Sequence, residues 1–153
     1  MALPKADVER RTEAFVRLCR RRGMKVTHQR MEIFKELVAS QEHPDAESVY
    51  TRVRRRVPAI SRDTVYRTLS TLEGEGLIRR TEVLSGPARF DANTDRHHHF
   101  VCTACGAIKD FYSPALDRLP IPRAVKNLGR IESAQVQVRG LCSACVARRA
   151  KGR

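Results

Sequence analysis

Residues 1–90 carry apolar side chains at the three- and four-residue spacing that is typical of α-helices. The pattern predicts a first helix over residues 5–22, which Gly23 ends. Thr27 is the expected N-cap of a second helix, because its hydroxyl can accept a hydrogen bond from the first turn. The segment 43–45 predicts the start of a third helix, and Ser61 is a candidate N-cap for a fourth.

The fourth predicted helix has two chemically different faces. Val65, Leu69 and Leu72 form an apolar stripe that should face the core. The opposite face carries hydrogen-bond donors and one aromatic ring, at Arg62, Thr64, Tyr66, Arg67, Ser70 and Thr71. Such a face suits the major groove of DNA, where donors meet purine acceptors and apolar edges meet thymine methyl groups. A basic helix face is also often only solvated surface, so the residues of this helix leave both interpretations open.

Two short strands are predicted after this helix, over residues 77–83 and 88–91, around a turn at residues 85–87. A helix followed by a basic hairpin is the winged variant of the helix-turn-helix. The front of the chain is therefore predicted to be a winged-helix DNA-binding domain over residues 1–90.

The remainder, residues 91–153, is predicted to be a small α/β domain, which makes the whole chain α+β. Short strands are expected around residues 100–101 and 108–111. A half-buried strand should run from residue 131 to 139, with Ala134, Val136 and Val138 facing inward. Between the strand at 108–111 and this one, the prolines at 120 and 122 limit any helix to about residues 123–128. Because so small a unit has little core of its own, we expect a metal and a dimer interface to stabilise it.

The charge of the chain changes this picture, because 30 Lys and Arg against 17 Asp and Glu give a formal net charge of +13. Nucleic acid is the first candidate partner for such an excess, and an anionic membrane surface is the second. No apolar run is long enough to span a bilayer, and the N-terminus has no apolar signal segment. We therefore expect a cytoplasmic protein that is not embedded in a membrane, in which paired cysteines bind metal more readily than they form disulfides.

Two C-x-x-C motifs, at Cys102 and Cys105 and at Cys142 and Cys145, are the strongest local signals. Each motif places two thiolates on a tight turn, and two such turns complete the tetrahedral sulfur site that zinc prefers. The alternatives are a redox-active pair or two unrelated pairs. Neither pair has the strand-to-helix context of a thioredoxin-like motif, so the pattern favours one structural zinc ion.

A histidine triplet precedes the first motif. In an extended segment His97 and His99 point to one side and the middle histidine to the other. Asp91 and Asp110 lie close enough in sequence to reach the same ion, and a mixed nitrogen and oxygen site fits iron(II) or manganese(II) better than copper(I). Taken alone, the triplet can equally be polar surface, and Asp110 a turn residue.

Several segments together resemble the ferric uptake regulator (Fur) family, and most closely its peroxide-responsive, PerR-like branch. The resemblance covers roughly residues 10–147. It rests on the segments 26–30 (Val-Thr-His-Gln-Arg), 43–44 (His-Pro), 64–69 (Thr-Val-Tyr-Arg-Thr-Leu), 89–91 (Arg-Phe-Asp) and 97–99 (His-His-His), and on both C-x-x-C motifs. His28 departs from the family pattern, which has a proline there, and the prolines at 120 and 122 interrupt a helix that relatives often keep.

The resemblance implies a homodimeric, metal-dependent repressor that binds double-stranded palindromic operator DNA. It implies structural zinc at Cys102, Cys105, Cys142 and Cys145, and a regulatory iron(II) or manganese(II) site at His43, Asp91, His97, His99 and Asp110. We expect the DNA-binding residues to be Arg30, Arg62, Thr64, Tyr66 and Arg67. In the peroxide-responsive branch iron oxidises a ligand histidine, which maps onto His43 and His97. Asp110 distinguishes this branch from iron-uptake relatives, which usually have Glu there.

Three other interpretations compete with a peroxide sensor. An iron- or other metal-uptake repressor of the same family would share both metal sites. A zinc deaminase needs a His-x-Glu motif near its cysteines, and residues 97–105 contain no Glu. A thiol oxidoreductase would need a reactive cysteine, whereas Cys19, the fifth cysteine, lies on the inner face of its helix and is expected in the core. We therefore predict a regulator and not an enzyme.

Overall fold

The computed structural model describes residues 4–81, 83 and 85–152. The chain divides into two compact units, of which the first ends at Thr94 and the second begins at Asp95. The predicted boundary after residue 90 stays a prediction. None of the helices in the described residues is both long and apolar enough to cross a bilayer.

Four helices build most of the first unit: α1 (Lys5–Arg21), α2 (His28–Ala39), α3 (Ala46–Arg54) and α4 (Arg62–Gly74). Three of them begin where the sequence predicts, because a side-chain oxygen accepts a backbone N–H of the first turn. Thr27, Asp45 and Ser61 are these N-caps, of α2, α3 and α4 respectively. Gly23 adopts a φ of 69° just after α1, a conformation that glycine tolerates at a helix C-terminus.

The core of the first unit consists of the apolar stripes that the sequence predicts. Val49, Val53, Val65, Leu69 and Leu72 are all buried. The rings of Phe15 and Phe34 stack with centroids 4.0 Å apart and join α1 to α2. Cys19 is buried in the same core, as predicted.

A two-stranded antiparallel hairpin follows α4, formed by β1 (Arg79–Thr81) and β2 (Arg89–Asp91). β1 begins later than predicted, because Leu77 and Ile78 are buried in the helical core, and β2 begins one residue later than predicted. Residue 82 of the predicted strand lies outside the described residues. The helices and the hairpin together confirm the predicted winged helix.

A three-stranded sheet forms the centre of the second unit, with β3 (His98–Cys102) between β4 (Ile108–Phe111) and β5 (Gln137–Gly140). β4 runs antiparallel to β3, whereas β5 runs parallel to it. Three helices complete the unit: α5 (Pro114–Asp117), α6 (Arg123–Lys126) and α7 (Ser143–Lys151). α6 falls where the flanking prolines restrict it, whereas α5 and α7 are not predicted from the sequence.

The predicted strand over residues 131–139 is wrong in length and in burial. Only its end pairs with β3, from Gln137 onward, and Val138 is 43% exposed instead of facing a core. β5 is an edge strand of a small sheet, so an alternating apolar pattern there does not find a buried face within the unit.

Candidate functional site

The two C-x-x-C motifs converge in the second unit. Cys102 ends β3, Cys105 lies in the turn before β4, Cys142 caps α7, and Cys145 lies in its first turn. The four sulfur atoms lie within 4.8 Å of one another, and those of Cys105 and Cys142 are 3.8 Å apart. Tetrahedral zinc with Zn–S bonds of about 2.3 Å places its sulfur ligands about 3.8 Å apart. The geometry of the cluster therefore fits zinc.

Backbone hydrogen bonds stabilise the thiolate form of Cys102, the form in which cysteine binds zinc. The backbone N–H of Cys142 donates to Sγ of Cys102 at 3.3 Å, and this bond, with others from the turn, lowers the pKa of the Cys102 thiol to about 6. At Cys105 the backbone N–H of Ala107 lowers the pKa, but hydrogen bonds with the thiols of Cys102 and Cys145 outweigh it and raise the pKa to about 11. The guanidinium of Arg148 donates to Sγ of Cys145 at 2.9 Å, which sets a positive charge against a cluster of negative sulfur atoms.

A second group of donors lies at the start of β3 and on β4, with His97 directly before β3. His97 and His99 are buried, and their Nε2 atoms are 3.0 Å apart. Asp110 pairs with His99 across the two strands, and its Oδ1 lies 3.2 Å from Nε2 of His99 and 3.5 Å from Nε2 of His97. Both histidines point to one side, as the extended pattern predicts, and the alternative that they are polar surface is wrong.

The middle histidine of the triplet has a different environment. His98 is buried on the opposite face of β3, with Nε2 3.3 Å from Oδ1 of Asp117 on α5. The backbone N–H of Val136 donates to its Nδ1 at 3.2 Å. His98 therefore connects three segments of the second unit and does not face the other two histidines.

The distances among His97, His99 and Asp110 fit a divalent ion. Ligands about 2.1 Å from an octahedral metal lie about 3.0 Å from their neighbours. Two imidazole nitrogens and a carboxylate oxygen make a borderline-to-hard donor set, which suits iron(II) or manganese(II). The second unit thus supplies three of the five donors that the sequence predicts.

The other two predicted donors lie together in the first unit. Nε2 of His43 is 3.2 Å from Oδ2 of Asp91, and both side chains are buried. His43 has a φ of 51°, a left-handed conformation that a non-glycine residue rarely adopts and that is often found at functional sites. The guanidinium of Arg89 donates to the backbone carbonyls of Glu42 and His43, which holds this strained loop against β2.

The residues predicted to read DNA lie on the exposed face of α4. Tyr66 is 50% exposed, although large apolar rings are usually buried. Arg67 is also exposed and forms an ion pair with Asp63 at 3.0 Å, one turn earlier. Thr64 is half-buried, and its backbone N–H is bound by the Ser61 cap.

The remaining predicted cations take part in contacts within the first unit. Arg62 binds Glu47 through two of its nitrogens, the shorter contact being 2.8 Å. Nη1 of Arg30 donates to the carbonyl of Lys25 at 2.6 Å. Arg56 is the last residue of a basic run, residues 54–56, at the end of α3. Its guanidinium binds two carboxylates of α2, so its charge is compensated within the first unit.

Comparison with known proteins assigns the chain to a family. The profile of the Ferric uptake regulator family matches residues 21–139. The chain belongs to this family. It is accordingly a metal-dependent transcriptional repressor, and the prediction that it is not an enzyme is confirmed.

Relatives within the Ferric uptake regulator family match most of the chain. The peroxide-responsive repressor PerR of Staphylococcus saprophyticus is 31% identical over 139 residues, which cover 90% of this chain and 93% of the relative. The structure of the Campylobacter jejuni peroxide stress regulator has a TM-score of 0.66 and 28% identity, over 85% of this chain and 98% of that chain. The structure of a zinc-bound manganese uptake regulator has a TM-score of 0.65 and 31% identity, over 82% of this chain and 96% of that chain.

These matches confirm the predicted α+β fold class and the dependence on metal cofactors. A four-cysteine site and a histidine–aspartate site for metals are both present in the chain. Two residues that support these sites were not predicted from the sequence. Arg148 donates to the sulfur of Cys145 in the four-cysteine site. Nε2 of Gln135 donates to the backbone carbonyl of His97 at 3.0 Å. No sequence motif marks either of them.

Replacing one zinc ligand tests the four-cysteine cluster. We expect Cys142→Ser to lose zinc and to unfold the second unit, because this cysteine anchors α7 to the end of β3 and the unit has little other core. Metal analysis and circular dichroism measure the two effects. Cys19→Ala, which removes a thiol outside the cluster, should keep its zinc. A Cys142→Ser protein that is folded, dimeric and free of zinc would rule out a structural role for the cluster.

Proposed function

We propose that the chain is a homodimeric repressor that binds palindromic operator DNA and senses hydrogen peroxide through iron-catalysed oxidation of a ligand histidine. The observation that carries this proposal is the set formed by His97 and His99, which are buried, and Asp110, which is exposed; their donor atoms lie 3.0 to 3.5 Å apart. The similarity to peroxide-responsive repressors supports it.

We infer that the regulatory ion is held by both units. The three donors of the second unit do not complete the coordination shell of a divalent ion of this class. His43 and Asp91 offer a further imidazole nitrogen and a carboxylate oxygen, and these two atoms are 3.2 Å apart, as neighbouring metal ligands are. Only residues 92–96 separate Asp91 from His97 in sequence, which limits the distance between these two residues to about 20 Å. An ion bound in this way would fix the winged helix relative to the second unit, and its loss would release it.

The protein residues determine how this site responds to peroxide. Iron(II), when bound, supplies the electron that reduces hydrogen peroxide. The carboxylates of Asp91 and Asp110 are hard, anionic donors that favour the ferric state and so favour this electron transfer. The resemblance to the peroxide-responsive branch maps the oxidised ligand onto His43 and His97, and we expect one of these imidazoles to gain an oxygen atom. The oxidised ring is then a poorer ligand, and the repressor leaves its operator.

An uptake repressor without peroxide sensing is the second candidate. The similarity to a zinc-bound manganese uptake regulator favours it, because the same donor set serves both functions. Asp110 favours the peroxide sensor, since the resemblance places Glu at this position in iron-uptake relatives. The choice between the two functions depends on chemistry at the histidines, and the second test below distinguishes them.

The exposed face of α4 is the proposed DNA reader. We propose that Tyr66 and Arg67 contact bases, with Arg62 and Thr64 beside them. Of the other cations, we propose that Arg30, Arg54 and Arg55 contact phosphates or the minor groove, whereas Arg56 of the same basic run is already paired with carboxylates of α2. The ion pair between Arg67 and Asp63 is exposed to solvent, so it is weak and can be exchanged for a contact to a base.

The second unit is the proposed dimerisation domain. Most of the large apolar side chains that the described residues expose lie in this unit: Tyr112, Leu119, Val125, Leu128, Ile131, Val138 and Val146. Exposed apolar groups at this density are typical of a surface that a partner covers. A second copy of the chain is the partner that the family resemblance implies.

The first test concerns the reading of DNA. We expect Arg67→Ala to weaken binding to the specific operator by about 1–3 kcal/mol and to relax sequence preference at one position, because a bidentate base contact is lost. Lys126→Ala, which removes a cation from the second unit, should change neither property. Fluorescence anisotropy at fixed salt measures both. Unchanged operator affinity in Arg67→Ala would show that α4 is not the recognition helix as proposed.

The second test separates peroxide sensing from metal sensing. After peroxide treatment of the iron-loaded protein, mass spectrometry should find one added oxygen on the peptide that contains His43 or His97, together with release of DNA. The manganese-loaded protein should stay unmodified and bound. Asp110→Glu should keep metal-dependent DNA binding and show less oxidation. If peroxide acts only on the zinc cysteines, or does not release DNA, the uptake repressor is the better assignment.

A further inference from the structure

Arg62, the first residue of α4, is held by two side chains of α3. Its Nε donates to Glu47, 3.0 Å from Oε1 and 3.1 Å from Oε2, and its Nη2 donates to Oε1 at 2.8 Å. The guanidinium carbon Cζ also lies over the buried ring of Tyr50, 4.5 Å from the ring centroid. A carboxylate and an aromatic ring therefore restrain the same cation.

Glu47 lies at the face that is proposed to read DNA. Together with Tyr66 and Arg80 it lines a cavity of about 160 Å³ that is bordered by α3, α4 and the hairpin. The side chains of Arg62 and Glu47 are 61% and 48% exposed, so a phosphate of bound DNA can reach this pair. The carboxylate repels such a phosphate and competes with it for the same guanidinium.

Arg67, the other arginine of this face, is restrained less. Its ion pair with Asp63 spans one turn of α4 at 3.0 Å, and both side chains are exposed. Among the described residues no aromatic ring lies against its guanidinium. An exposed pair of this kind is easily exchanged for a contact to DNA, whereas Arg62 must give up both Glu47 and Tyr50.

The position of Arg62 in its helix adds to the need for a carboxylate. As the first residue of α4 it places a positive charge at the positive end of the helix dipole, which is unfavourable. Glu47 compensates this charge from the neighbouring helix. Without Glu47 the guanidinium would be left to bind another anion, and DNA phosphate is the anion that the proposed function brings to this face.

We propose that Glu47 is a positioning residue that keeps Arg62 away from DNA phosphates and thereby limits the affinity of the winged helix for DNA of any sequence. This inference rests on the proposed role of α4 as the DNA reader. Phosphate contacts strengthen binding to all sequences alike, whereas base contacts distinguish one sequence from another. With one phosphate contact withheld, a larger share of the binding free energy comes from the contacts of Tyr66 and Arg67 to bases.

Glu47→Gln tests this restraint, because it removes the negative charge and keeps the size of the side chain. Glu47 is half exposed, so the substitution should leave the fold intact, which circular dichroism checks. Glu132→Gln is the matched control: it changes the net charge by the same amount at an exposed residue of the second unit. The same Glu47→Gln change made in an Arg62→Gln protein shows whether its effect passes through Arg62.

The measurement is fluorescence anisotropy of a labelled duplex of mixed sequence, bound by the zinc- and manganese-loaded full chain at several salt concentrations. Glu47→Gln should bind roughly twofold to fivefold more tightly than the wild type, the range expected for one exposed ion pair that no longer has to be broken. The dependence of log affinity on log salt should steepen by about 0.9, which corresponds to one further phosphate contact. Glu132→Gln should keep the wild-type salt dependence, and so should Glu47→Gln relative to its Arg62→Gln parent.

The outcomes separate this inference from the proposed function. If Glu47→Gln keeps the wild-type salt dependence, or steepens it equally with and without Arg62, Glu47 does not restrain Arg62 as proposed, although α4 can still read DNA. An equal change in Glu132→Gln would assign the effect to net charge and would also overturn the inference. If the wild type binds no duplex DNA, the proposed function fails and this inference fails with it.

Discussion

Four thiolates within 4.8 Å of one another hold the second unit together, because they connect α7 to the end of the central strand. The unit has few other buried apolar side chains, chiefly Val101 and Ile108 on neighbouring strands. A metal–thiolate cluster compensates for a core of this size, since zinc binding contributes directly to folding free energy. The strand that carries Cys102 also carries His99, so the cluster fixes one end of the strand that holds this proposed regulatory ligand.

The two groups of donors differ in the softness of their ligand atoms, and this softness determines which metal each group prefers. Four soft sulfur atoms select zinc and leave no position for water, whereas imidazole and carboxylate donors select iron(II) or manganese(II). Arg148 adds a hydrogen bond to the sulfur of Cys145, which reduces the electron density available to an oxidant. A repressor that senses peroxide needs this separation, because its structural site must survive the oxidant that its regulatory site detects.

Local chemistry in the sequence predicts much of this structure. The caps at Thr27 and Ser61 and the apolar stripe of α4 follow from hydrogen bonding and periodicity within a few residues. The convergence of the cysteines and the common side of His97 and His99 follow from ligand spacing and strand alternation.

Contacts between distant segments could not be predicted in this way. The parallel pairing of β5 with β3 and the bonds of Gln135 to the histidines depend on how residues 36 to 38 positions apart meet. The exposure of Val138 was missed because its pattern is that of a strand with a covered face. The φ of 51° at His43 has no signature in the sequence, because it results from the contacts that hold its loop to β2.

We propose that His43, His97 and His99 bind one and the same ion. Pulsed electron paramagnetic resonance of manganese(II)-loaded protein, labelled with ¹⁵N at histidine, counts the nitrogens bound to the ion. We predict three coordinated histidine nitrogens in the wild type and two in His43→Ala. Two nitrogens in both proteins would contradict the account, because the ion would then belong to the second unit alone.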